Sequence, residues 1–467
     1  MAEPLSPRPD QPRPLPLRFS LGGLKRGFEA LGVRNYRLYW SGQVVSLVGT
    51  WMQQLSLPWL VLALGGTPIQ LGIVSMLEFG PSMLLAPFGG VFADRIDKRK
   101  AMLISQVAAA LQAAALATII ALGVVTIPIV MVMGLILGII NAASMPVRQA
   151  LAPELVPPRL LANAIALNSM AFNSARIVGP AVAGITIAAA TALTGSTEAG
   201  VAINLGGNAI TYGAVIVALW MMDPGQIRHP RRPERHPPVL DSLKEGFWYA
   251  VHAPLVLWPL VLLGGIAAFG FNFQILLPVL ATDVLKLDAD GYGLLFAAMG
   301  VGSLSGSLTL AFMRQRQAVP LIFLGGIAFV VFLGGIAASR SVWLVAPLVM
   351  AAGYFSMLMI NTINATVQAN VTDELRGRVM SLYVTVFAGS APLGSIFAGA
   401  VAEAYGASAA FLVGAVISAL VLAAAGYGVR RAMRRGPLGV TVLEGARGTG
   451  HQEPVAPDRR ESPSAAA

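Results

Sequence analysis

Cysteine is absent from the 467 residues, which excludes disulfides, thiolate metal sites and thiol nucleophiles. Charge is scarce. Asp, Glu, Lys and Arg together make up 12% of the chain, about half of what a soluble protein carries. No Gly-x-x-x-x-Gly-Lys-Ser/Thr loop is present, so ATP hydrolysis is not expected, and no catalytic constellation suggests an enzyme. Histidine is limited to four residues, and His229, His236 and His252 fall in one polar stretch. They read as solvated linker residues, and no metal site is expected.

The chain is instead rich in apolar residues, at 56%, with a mean hydropathy of +0.70. That composition describes a protein whose main solvent is the bilayer. The net charge of +10 sits in short loops and tails between apolar runs. Such alternation is membrane topology, not a nucleic-acid-binding patch.

Apolar spans lie at about 38–64, 69–93, 101–124, 127–147, 163–191 and 200–222, then at 254–281, 291–313, 318–338, 341–366, 379–402 and 407–429. Each is long enough to cross the hydrocarbon core at ~1.5 Å per residue. Loops on one side hold most bases, among them Arg95, Lys98, Arg99, Lys100, Arg148, Arg159, Arg314, Arg376 and Arg378. The other side carries only Lys286 and Arg340. The rule that cytoplasmic loops are basic therefore places both termini inside the cell, most simply at a bacterial plasma membrane.

The expected organisation has five parts. Residues 1–34 form a Pro- and Arg-rich tail ending in a short surface helix, and 35–222 form a six-helix bundle. Residues 223–253 are a linker with an amphipathic helix, in which Ser242 and Glu245 suit a capping box. A second six-helix bundle covers 254–430, and 431–467 are a disordered tail. The halves echo each other. Gln149 to Leu155 precedes span five, and Gln368 to Leu375 precedes span eleven, each leading through arginine into a Gly- and Pro-containing helix.

A short charged turn, Gly89 to Lys100, separates spans two and three. Its spacing Gly90-x-x-x-Asp94-Arg95-x-x-Lys98-Arg99 resembles the signature loop of the major facilitator superfamily. The opening Asn35-Tyr36-Arg37-Leu38-Tyr39-Trp40-Ser41-Gly42-Gln43 and the run Ala175-Arg176-Ile177-Val178-Gly179-Pro180 resemble its drug-exporter branch, which includes enterobactin exporters and macrolide efflux proteins. The resemblance implies an all-α integral membrane fold with 12 transmembrane helices in two bundles. It also implies proton-coupled efflux of a hydrophobic drug-like or siderophore-like molecule. The alternatives are a uniporter or importer, or a non-transporting receptor or assembly factor on the same scaffold. No cofactor is expected, the proton gradient being the energy source. The expected partners are a small-molecule substrate and lipid, with no nucleic acid, and the protein is expected to be a monomer.

The same resemblance assigns residue roles. Gly90, Asp94, Arg95 and Arg99 form a gating loop, with Asp94 meeting the start of span eleven and Arg378. Gly179, Pro180 and Gly184 are similar to a helix-five motif associated with antiporters. Spans one, four, seven and ten line the cavity.

Ionisable residues within the bilayer are costly, and away from the span ends there are two, Glu78 and Arg176. Their sequence distances from the span ends put them at similar depth. They read either as a proton or substrate site facing the cavity, or as a structural pair between helices two and five. Gln53, Gln54, Asn141, Asn173, Asn272, Gln274, Asn361 and Asn364 are candidates for the cavity wall, or else for hydrogen bonds between helices.

Overall fold

The computed structural model describes residues 27–228, 239–313 and 319–434; of these, the side chains of 86–95, 239–243, 311, 373 and 374 lie outside the description. The described residues are helical, without strands. The first half comprises α1 (Arg34–Ala63), α2 (Pro68–Arg95), α3 (Lys98–Ala121), α4 (Ile127–Glu154), α5 (Leu161–Thr194) and α6 (Thr197–Trp220). A surface helix, α7 (Val239–His252), precedes the second half. That half holds α8 (Pro254–Phe269), α9 (Phe273–Val279), α10 (Ala289–Phe312), α11 (Val319–Ala338), α12 (Val342–Ala369) and α13 (Asp373–Arg434).

Ten stretches among the described residues are long and apolar enough to span a bilayer. One of them holds two spans, because α13 breaks at Gly406, whose φ of 83° only glycine adopts freely. The more polar α1 supplies the remaining span. The result is twelve spans in two six-helix bundles.

Local sequence sets the helix ends. Thr67 and Gln70 form a capping box ahead of Pro68 at the start of α2. The side chains of Asp97 and Ser196 accept from Lys100 and Ala199 N–H groups at the starts of α3 and α6. Within the first half, α1 packs on α5 and α6, α2 on α4, and α3 on α6; in the second, α10 packs on α12 and α8 on α13. The halves meet along α2 with α13 and α5 with α10.

Small residues allow that meeting. A Cβ at Gly72 would lie 2.5 Å from Ser395 O, and one at Gly399 2.6 Å from Pro68 O. On the other seam, Gly184 would meet Ala289 O at 2.6 Å and Gly293 would meet Pro180 O at 2.7 Å. These contacts lie toward the end opposite the basic loops. There Trp59 also stacks on Tyr292 across the halves at 5.5 Å, and Ile69 N–H donates to Glu403 Oε2 at 3.0 Å. The molecule is thus closed at its far end.

Three expectations are corrected. Arg148 is not in a loop. α4 continues to Glu154, carrying Pro146 and Pro153 inside it, and buries Val147, Leu151 and Glu154. Span seven is not one continuous helix. It breaks at Gly270 to Asn272, where the Asn272 side chain donates to Ala268 O at 2.7 Å in competition with the backbone ladder, and a π turn follows at Leu280–Val284. Ser242 does not stand at the start of α7, which begins at Val239. Glu245 instead pairs with Arg378, and Tyr249 OH donates to Asn370 O at 2.9 Å, so α7 rests on the second half. Phe247 and Val251 stay exposed, as an interfacial face would. Of the expected tails, 1–34 and 431–467, the parts 1–26 and 435–467 lie outside the described residues, as do His229 and His236, while α13 continues to Arg434.

Candidate translocation site

α1 presents two adjacent glutamines. Successive residues of a helix point about 100° apart, so the two cannot share a face. Gln53 is 2% exposed and turns into the first bundle, accepting from Asn208 Nδ2 at 2.6 Å and donating to Gln112 at 3.5 Å. It belongs to packing and not to the cavity wall, the second of the two roles open to it from sequence. Gln54 turns the other way, toward the second bundle.

Gln54 joins three helices. Its Nε2 donates to Glu78 Oε1 on α2 at 3.3 Å, and its Oε1 accepts from Gln274 Nε2 on α9 at 2.9 Å. Glu78 is 8% exposed. Its depth is fixed by Gly138 of α4, where a Cβ would come within 2.6 Å of Leu77 O and 2.5 Å of Glu78 O. The break between α8 and α9 lies just before Gln274. A buried acid, an amide and a second amide therefore run in series from one half to the other.

Arg176 is 7% exposed and does not pair with Glu78. Its guanidinium lies over the Trp51 ring, 5.6 Å from the centroid, and its Nε has no hydrogen-bond partner. Trp51 in turn meets Phe172 edge-on at 5.5 Å. The expectation is an interaction between Glu78 and Arg176, direct or through water; no direct contact forms, and the two side chains sit in separate arrangements, one on α2 and one on α5.

The remaining candidates divide. Asn173 lines a cavity with α1 and α4 and donates to Ser169 O at 2.8 Å. Asn361 donates to Ser307 at 3.1 Å, binding α12 to α10, and Asn364 accepts from Gln368 at 2.6 Å. Asn141 is partly buried, and its backbone carbonyl accepts from Ser144. Gly179 lies against α1, where a Cβ would meet Trp51 at 2.5 Å, while Pro180 and Gly184 face α10. The helix-five motif is thus a two-sided packing surface. Gly302 and Gly306 likewise seat α10 against Met350 and Tyr354 of α12.

Of the gating loop, the side chains of Asp94 and Arg95, and Gly90 with them, lie outside the described residues. Arg99 donates to Leu219 O at 2.7 Å and Trp220 O at 3.1 Å, capping α6 within its own half. Arg378 is held by Glu245. Beside them, Lys98 pairs with the buried Glu154 at 2.7 Å, a partner that sequence reasoning missed. Among the described residues no three His, Cys, Asp or Glu side chains gather as a metal site would require.

Two six-helix bundles that meet along two helix pairs, with a polar series crossing between them at mid-depth, define a transporter of the major facilitator superfamily. A model of the transmembrane secretion effector family matches residues 26–435, and the chain belongs to that family. Its members are transporters, not enzymes. The chain is 25% identical over 386 residues to the staphyloferrin A transporter of Staphylococcus aureus, covering 79% of this chain and 90% of that one. It is 25% identical over 375 residues to the multidrug efflux pump Tap of Mycolicibacterium fortuitum, covering 77% and 87%. The enterobactin exporter EntS of Shigella dysenteriae is 23% identical over 361 residues, covering 74% and 80%. The fold is shared with a bacterial homologue of the human lysosomal transporter Spinster, solved inward-facing and occupied, with a TM-score of 0.63, 16% identity and coverage of 85% and 97%. It is shared equally with the nucleoside transporter NupG, with a TM-score of 0.62, 13% identity and coverage of 85% and 99%.

Proposed function

We propose that the protein exports a small organic molecule from a bacterial cell by alternating access, driven by protons entering through Glu78. The observation that carries this reading is the series Gln274 to Gln54 to Glu78, which connects an intramembrane acid on one bundle to an amide on the other. Intramembrane acids on such a seam serve ion pathways and relays. The siderophore and multidrug exporters among the relatives support an amphipathic organic substrate. The charge asymmetry of the loops supports a cytoplasmic position for the end opposite the closed one, and with it an inward-facing form.

The chemistry of the amides suggests how coupling works. An ionised carboxylate only accepts, so it holds the NH2 group of Gln54, and the Gln54 oxygen is left facing Gln274. A protonated carboxyl can donate. The Gln54 amide is then free to reverse, and its oxygen leaves Gln274. One proton thereby loosens a bond between bundles without touching a charged partner. Asp94 and the signature loop act at the cytoplasmic surface in this scheme, as the superfamily resemblance implies.

The test is efflux from proteoliposomes with an imposed pH gradient, screened with dyes, macrolides and catechol siderophores. E78Q keeps the shape and cannot ionise. It is expected to abolish gradient-driven export while leaving substrate exchange intact. Export that E78Q leaves undiminished would refute proton coupling at Glu78.

A further inference from the structure

We infer that the cavity between α1, α4 and α5 is a binding site for an organic anion with an aromatic or apolar body, deepening the export reading and resting on it for the direction of movement. The cavity has a volume of about 430 Å³ and lies toward the basic end of the first bundle. That volume suits a drug-sized molecule. Its walls include Tyr39, Gln43, Arg148, Asn168, Phe172 and Asn173, and among the described residues no acidic one lines it.

Two donors in these walls are unused. Gln43 is 5% exposed; its amide lies beside the Tyr39 hydroxyl, with no acceptor for Nε2 at full hydrogen-bond geometry, and Arg148 Nε is buried without one. Arg148 forms no ion pair among the described residues. A buried donor without an acceptor is costly, and a protein keeps few of them. Two beside one cavity, one of them on a guanidinium, can be satisfied by an acceptor from outside once the side chains turn toward the cavity. A carboxylate, sulfonate or phosphate supplies it, and a planar guanidinium binds such groups strongly.

The apolar surface lies further in. Phe172 joins the cavity to Trp51, and Trp51 carries Arg176 over its face. Residues 172 and 176 are one helical turn apart, so the path runs from Arg148 past two aromatic rings to a second buried guanidinium whose Nε is also unpartnered. Neither arginine meets Glu78, so the anion path and the acid are carried by different helices. A molecule with an anionic group and flat apolar surface fits this sequence of surfaces. A cation would meet like charge at both arginines.

The probes are radiolabelled 2-naphthoate and its cationic counterpart 2-naphthylmethylammonium, measured by equilibrium binding to the full chain in phosphatidylcholine nanodiscs. Naphthoate is expected to bind at least about tenfold tighter than the cation. R148Q and Q43L should each weaken naphthoate by about tenfold, while R148K, which keeps the charge but loses the fork, should retain the preference for the anion at reduced affinity. Unchanged melting temperatures separate lost binding from lost folding. Equal behaviour of the two probes, or naphthoate binding unaffected by R148Q, would overturn the inference. Displacement of naphthoate by phosphatidylglycerol in the disc would also overturn it, in favour of a lipid headgroup. Because no gradient is present, failure here leaves proton-driven export standing, and failure of export leaves this binding result standing.

Discussion

Gln274 donates to Gln54 at 2.9 Å and so ties α9 of the second bundle to α1 of the first, at the point where Gln54 also holds Glu78. The two bundles are thus joined at mid-depth by neutral amides. A salt bridge there would resist separation through a large desolvation cost in either direction. An amide pair is easily broken and remade, as a moving interface requires.

Removing the central amide should cost more than removing the outer one. Q54L leaves both Glu78 and Gln274 without their partner and should destabilise the protein by about 1–3 kcal/mol. Q274L removes one bond and should cost about 0.6 kcal/mol, the mean for such bonds in membranes. Thermal unfolding of the single and double variants in detergent measures the coupling between them. A coupling of zero would show that the bond carries nothing.

The sequence exposes part of this arrangement. Glu78, Gln54 and Gln274 stand out as polar residues within apolar spans, and charge asymmetry together with hydropathy is enough to count twelve spans. The partners are not legible, because which face of a helix a residue occupies depends on rotation set by distant packing. Gln53 and Gln54 are chemically identical neighbours with opposite fates. Arg148 reads as a loop base because the apolar run of span four ends at about residue 147, yet α4 continues through Pro146 and Pro153, since membrane helices tolerate proline where neighbours satisfy the backbone. The burial of Val147, Leu151 and Leu155 at four-residue intervals is the signal that continues α4. The break in α8–α9 has a visible cue in Gly270 and Asn272, but its effect of placing Gln274 beside Gln54 does not.

Arg176 distinguishes a site residue from a structural one. If it served as a structural partner of Glu78, R176M would strand an ionised acid and lower the melting temperature. Because it lies over Trp51 with no acidic partner among the described residues, R176M should leave the melting temperature unchanged or raise it, while weakening export of anionic substrates. Differential scanning fluorimetry alongside vesicle efflux reads both.

Lys98 and Glu154 give the opposite pattern. The pair is 2.7 Å apart with side-chain exposures of 15% and 5%, so either single change leaves a largely buried charge. K98M or E154Q should cost about 3 kcal/mol, and the double variant should recover a large part of that loss. Additive losses on thermal unfolding would contradict a direct pair.

Closure of the far end depends on Gly72, Gly399 and the bond from Ile69 N–H to Glu403. G72A, G399A and E403A should shift the population toward the form open at that end. G302A, buried between two helices of the same bundle against Met350, should instead lower stability without changing access. Labelling of single cysteines placed near Pro68 distinguishes these outcomes, and the cysteine-free chain provides no background.

The central claim is that the protonation state of Glu78 governs contact between the bundles. Ala63 and Asp283 belong to opposite halves and line one shallow pocket at the far end, so spin labels at A63C and D283C report its width. Their distance distribution, measured by double electron–electron resonance across a pH series, should broaden toward longer distances as Glu78 is protonated. In E78Q it should no longer depend on pH. A distribution that ignores pH in the parent protein, or the same pH response in E78Q, would contradict the account.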